Sequence, residues 1–104
     1  MTTPRTGARA RRRVRVTIGG AAAFTQSLGV GGFSAEVMRV PLRGSSVQGT
    51  MYLGEKDFDY AGDVAWVKPG DPRLNLRGRV GVRFTQLNAE ARRLIEAALF
   101  TPVR

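Results

Sequence analysis

The chain has 104 residues and a formal net charge of +9, with no cysteine and no histidine. That length fits one small domain. The missing cysteines exclude disulfides and thiolate metal sites, and the missing histidines remove the commonest general base and metal ligand. No run of about 18 apolar residues occurs, so no helix is expected to enter or cross a membrane, and the composition fits a cytoplasmic chain.

The charge is unevenly placed. Residues 1–15 hold six arginines (Arg5, Arg9, Arg11, Arg12, Arg13, Arg15) and no acid, so the remaining 89 residues carry only +3. An anionic partner is implied, attracted mainly to the N-terminal end. Fifteen of the 17 basic residues are arginine, whose planar fork suits phosphate and guanine and stacks on flat rings.

Along the chain, residues 1–8 are expected to be a disordered tail and residues 9–104 a single domain. From Arg13, alternation places Val14, Val16 and Ile18 on one face and Arg13, Arg15 and Thr17 on the other, which predicts a half-buried strand. "GGAAAF" interrupts it. Phe33, Ala35 and Val37 alternate with Ser34 and Glu36 in a second strand, and "PLRGSS" reads as a loop. Val47, Met51 and Leu53 alternate in a third. "GEKD" reads as a hairpin turn, and Phe58 to Val67 forms a fourth and longest strand. After the loop "KPGDPRLNLRG", Val80, Val82 and Phe84 define a fifth. Near Leu87 the period changes. Ala91, Leu94, Ile95, Ala98 and Leu99 share a helical face, with Asn88 as cap. The expectation is an all-β fold: a five- or six-stranded antiparallel barrel with one C-terminal α-helix over an open end.

Candidates for catalysis are few. Asp57, Asp59 and Asp63 cluster near one hairpin, where turn chemistry and solvation account for them without the burial that general acid–base work needs. Ser27 has no histidine to activate it. The glycine run "SLGVGG", Ser27 to Gly32, lacks the lysine and hydroxyl of a phosphate-binding P-loop. An enzyme is not expected, nor a metal or cofactor. Gly29, Gly31 and Gly32 would allow positive φ or close approach of a ligand to the backbone. Trp66, Phe58, Tyr60 and Phe84 read as barrel core.

Taken together, four segments resemble a PilZ domain, the bacterial receptor module for cyclic di-GMP. "RARRR" (Arg9 to Arg13) and "RRRVR" (Arg11 to Arg15) both match that family's Arg-x-x-x-Arg motif. "SLGVGG" stands in the place of its Asp/Asn-x-Ser-x-x-Gly motif. "GDVAWV" and "RVGVRF" are similar to its Gly-x-Val-x-Trp and closing Gly-Val-x-Phe strands. The likeness spans roughly residues 9–100. Only Gly32 of the second motif is retained, with Ser27 where Asp or Asn is expected and Gly29 where Ser is expected. The interval between the motifs is short, so a returning strand there is expected to be reduced and the barrel trimmed at that edge.

The resemblance implies a cyclic di-GMP receptor or adaptor that signals through an unidentified protein partner. It assigns ligand contacts to Arg9 and Arg13, or to Arg11 and Arg15 in the other register, together with Ser27, Gly29, Gly31 and Gly32. The alternatives are a degenerate interaction module that binds no nucleotide, and a basic barrel binding single-stranded nucleic acid. Against the last, aromatic residues are few and scattered.

Overall fold

The computed structural model describes residues 9–10 and 12–100; the proposed tail at 1–8, and Arg11, lie outside the described residues. Among the described residues, seven strands and one α-helix succeed one another in chain order: β1 Arg9–Ala10, β2 Arg15–Ile18, β3 Ala21–Gly29, β4 Gly32–Val37, β5 Ser46–Leu53, β6 Lys56–Lys68, β7 Gly78–Leu87 and α1 Ala89–Phe100. The sheet order is β1-β3-β2-β5-β6-β7-β4, and β4 returns to pair with β3. Strands β2 to β7 therefore close a six-stranded barrel in which every pairing is antiparallel.

The barrel is not trimmed. "GGAAAF" contains a turn and the start of a full nine-residue strand. Gly19 and Gly20 have φ of 59° and 94°. Two positive φ angles are what the mirror-image two-residue hairpin turn requires. The turn sets Ile18 opposite Ala21, Thr17 opposite Ala22 and Val16 opposite Ala23. β3 supplies in full the wall that was expected to be reduced.

The core is filled from alternate positions of every barrel strand. Val16, Phe33, Met51, Val64, Val80 and Val82 are almost wholly buried, and each large aliphatic or aromatic side chain so buried contributes about 1.5–3 kcal/mol. Phe33 packs edge-on to Tyr60, with ring centroids 5.4 Å apart, and lies 5.8 Å from Phe84. At one end α1 inserts Ala91 and Ile95, both buried, while Leu94 stays partly exposed. Asn88 caps the helix as expected: its Oδ1 accepts from the Glu90 and Ala91 amides at 2.7 and 3.3 Å. Lys56 reaches Glu90 at 2.6 Å, and this hydrogen bond holds the Glu90 carboxyl below its usual range.

The strand directions give the barrel two distinct ends. β1, the turn at residues 30–31, the turn at 54–55 and α1 share one end. The Gly19–Gly20 turn and the loops at 38–45 and 69–77 share the other.

Candidate functional site

The arginine segment runs antiparallel to the glycine-rich half of β3. Arg9 lies opposite Gly29 and Ala10 opposite Leu28. Thr25, only 3% exposed, anchors the segment between β1 and β2. Its amide donates to the Val14 carbonyl at 2.8 Å, its hydroxyl accepts from the Val14 amide at 2.9 Å, and the same hydroxyl donates to the Arg12 carbonyl. Three hydrogen bonds from one residue thus dock Arg12–Val14 onto β3.

Arg13 and Arg15 then part company. The Arg13 guanidinium lies 4.2 Å from the centre of the Phe24 ring on β3. That of Arg15 lies 5.2 Å from the Tyr52 ring on β5, the opposite neighbour of β2. Both are cation–π contacts at exposed rings, worth about 0.5–1 kcal/mol. Of these two guanidinium groups, that of Arg13 lies toward the β3–β4 wall and that of Arg15 lies toward β5.

Ser27 comes after a β-bulge, since the β3–β4 register shifts between Thr25 and Ser27. Its hydroxyl lies 2.7 Å from that of Ser34, which is 8% exposed. Ser34 alternates with the inward Phe33 and Ala35, so it faces the outer wall. Beyond it, Gly81 on β7 lies opposite Ser34, and Trp66 on β6 lies opposite Gly81. A Cβ at Gly81 would meet Trp66 Nε1, so the indole rests directly on that glycine. Ser27, Ser34, Gly81 and Trp66 form one row across four neighbouring strands.

Trp66 is therefore not core. It is 40% exposed on the outer wall, because a register shift between Val64 and Trp66 turns its side chain outward. Phe58 and Tyr60 are buried as expected, and Phe84 packs against the core.

The glycine run does not use the positive φ that was expected of it. Gly29 and Gly32 are paired with each other across a short turn. Positive φ among the described residues falls on Gly19, Gly20, Gly44, Gly54 and Asn75, not on Gly29, Gly31 or Gly32. At Gly32 a Cβ would meet the Val82 carbonyl of β7. What comes close to that backbone is the adjoining strand. Gly31 is exposed, and its carbonyl accepts from the Phe84 amide at 2.9 Å.

Above Ser27 the outer wall of β3 and β4 forms a groove of about 330 Å³ bordered by Arg13, Phe24, Gln26, Glu36, Met38 and Arg77. The Gln26 amide Nε2 donates to Glu36 Oε2 at 3.3 Å. Elsewhere, the acids near the β5–β6 hairpin have mundane partners. Thr50 donates to Asp59 at 3.3 Å, and Asp63 meets Ser46 and Arg83 at 3.4 Å. Among the described residues no cluster of three or more metal-ligating acids occurs.

The PilZ domain profile matches residues 2–101. The chain belongs to the PilZ domain family. Among solved structures it is similar to the inhibitor of motility from Bacillus subtilis (MotI/DgrA), with a TM-score of 0.77 at 14% identity. The match covers 94% of this chain and 51% of that one, so the chain spans about half the length of that protein. At that identity the likeness shows the PilZ barrel itself. No curated protein matches the chain significantly.

The family's second motif fits the chain in two registers. With Ser27 in the family's acidic position, Gly32 fits the final glycine. With Ser27 in the serine position instead, Thr25 falls where Asp or Asn is expected and Val30 where the glycine is. Sequence reading alone passes over Thr25, yet it is the residue whose side chain holds the arginine segment. The motif spacing itself is the signal that points to it.

Proposed function

We propose that this PilZ domain is a cyclic di-GMP receptor that works as an adaptor, binding the nucleotide on the outer wall of β3 and β4 beneath the arginine segment. The observation that carries the reading is the pairing of Arg9–Ala10 with Leu28–Gly29, reinforced by Thr25. It sets the two family motifs side by side, as a ligand touching both requires. Arg9 and Arg13 would engage phosphate and guanine, acts that suit guanidinium groups. Ser27 and the exposed indole face of Trp66 border the same wall.

The adaptor half rests on the far end of the barrel. Met38 and Leu42 are 80% and 82% exposed on one loop there, and Leu74 and Leu76 are 66% and 59% exposed on the next. Apolar side chains displayed this fully favour a protein partner docking at that end.

One feature favours a second reading, an interaction module without nucleotide. Ser27 offers a hydroxyl already engaged with Ser34 and no carboxylate. Calorimetric titration of the whole chain with cyclic di-GMP at moderate salt decides between them. Saturable binding that disappears in an Arg9→Ala, Arg13→Ala double variant, and survives Arg15→Ala, supports the receptor. No binding at high micromolar nucleotide supports the interaction module.

A further inference from the structure

Glu36 is the only acidic residue among the first 54, a stretch that holds eight arginines. It occupies a particular place. On β4 it lies directly opposite Phe24, whose ring carries the Arg13 guanidinium at 4.2 Å. It is exposed on the outer wall, and its Oε2 accepts from the Gln26 amide at 3.3 Å. The groove that contains all four side chains adjoins the Ser27–Ser34 pair and reaches Arg77 at its other end.

These groups have complementary uses. A guanine base presents two parallel donors, N1–H and the N2 amino group, on its Watson–Crick edge. A carboxylate offers two acceptor oxygens at matching separation. The Gln26 bond restricts rotation of that carboxylate. The Arg13–Phe24 stack provides a flat cationic surface for a purine face. Adenine, by contrast, presents a bare acceptor at N1, which a carboxylate repels. We propose that Glu36, positioned by Gln26, is the guanine-reading acceptor of this PilZ domain and takes the part that Ser27 lacks the carboxylate to play. The inference rests on the receptor reading above and goes beyond it by naming the residue that selects the base.

The competing role for Glu36 is a counter-charge that tempers the surrounding arginines. The two roles predict opposite signs. A counter-charge repels phosphate, so removing it tightens the binding of any cyclic dinucleotide. A guanine acceptor loses a bidentate contact when removed.

The test is calorimetric titration of the whole chain and its Glu36→Gln variant with cyclic di-GMP and with cyclic di-AMP. Glu36 is exposed, so the variant should melt like the parent, which circular dichroism checks. The expected result is cyclic di-GMP binding weakened about ten- to a hundredfold, with cyclic di-AMP unchanged or tighter, so that preference for guanine collapses. Gln26→Ala should shift both ligands in the same direction by less. If Glu36→Gln binds cyclic di-GMP as well as the parent or better, while Arg9→Ala, Arg13→Ala abolishes binding, the receptor reading stands and the role of Glu36 falls. If the parent itself binds no cyclic di-GMP, both fall.

Discussion

Thr25 and Val14 are joined by two hydrogen bonds, amide to carbonyl at 2.8 Å and amide to hydroxyl at 2.9 Å. The hydroxyl's second partner, the Arg12 carbonyl, makes the Thr25 side chain a staple between the arginine segment and β3. Thr25→Val keeps the shape and removes the hydroxyl. The Val14 amide and Arg12 carbonyl then lose a partner in a part-buried setting, which should cost about 1–3 kcal/mol. A urea midpoint lowered with unchanged slope would show it. Faster amide exchange at Val14, with β5 and β6 unaffected, would locate the loss. An unchanged midpoint would mean that the segment is held by something other than Thr25.

Much of the barrel is legible because most of its strands keep alternation over the residues that fill the core. Val14, Val16 and Ile18, or Val80 and Val82, declare which face is inward, and the change of period at Leu87 announces α1. The two failures share one physical cause. β3 escapes the alternation pattern because its parity changes at the bulge. Thr25 and Leu28 both point inward although an odd number of steps separates them, and three alanines blur the rest. Trp66 reads as core because a second shift, after Val64, reverses parity there as well. A bulge adds one residue and flips every later side chain. It leaves no compositional mark that a two-residue period can detect. Thr25 and Trp66 sit on the bulged strands β3 and β6 and are passed over or misread for that reason, whereas Glu36 keeps the alternation of β4 and only the fold supplies its neighbours Arg13, Phe24 and Gln26.

Ser27→Asp should strengthen nucleotide binding. The side chain at this position faces the outer wall and meets the Ser34 hydroxyl at 2.7 Å. A carboxylate there can accept from Ser34 with one oxygen and from a guanine edge with the other. A single added acceptor on the base is worth about 1 kcal/mol, or about fivefold in affinity. Titration with cyclic di-GMP checks this. Weaker binding would show that added negative charge at this wall outweighs the contact, and would place the guanine elsewhere.

Gly32→Ala should damage the fold before any ligand is added. The new methyl would meet the Val82 carbonyl, a backbone atom of the neighbouring strand that cannot turn aside. β4 and β7 would have to separate along a pairing that runs from Gly32–Arg83 to Val37–Gly78. Overpacking of this kind costs about 1–3 kcal/mol, and a backbone obstacle places the expectation at the upper end. Thermal melts of the ligand-free protein measure it. An unshifted melt accompanied by lost nucleotide binding would restore the view that this glycine makes room for ligand.

Tyr60 should make the barrel sensitive to alkali. Its hydroxyl donates to the Thr17 carbonyl at 2.7 Å, through a space that Gly49 leaves open. The side chain is 3% exposed, and burial pushes its hydroxyl well above its ordinary range. Below a pH of about 10 the phenol is protonated in both folded and unfolded chains, so its contribution is complete. Above that value the unfolded chain releases the proton and the folded chain keeps it. Stability should then fall by about 1.4 kcal/mol for each further pH unit until the folded phenol also ionises. Tyr60→Phe removes the hydroxyl, which should cost about 1 kcal/mol at neutral pH through the lost bond to Thr17. The same variant should lose this alkaline slope. Urea midpoints of both proteins from neutral to strongly alkaline pH provide the comparison. Parallel curves for the two would assign the alkaline loss to other groups and leave Tyr60 with its packing role alone.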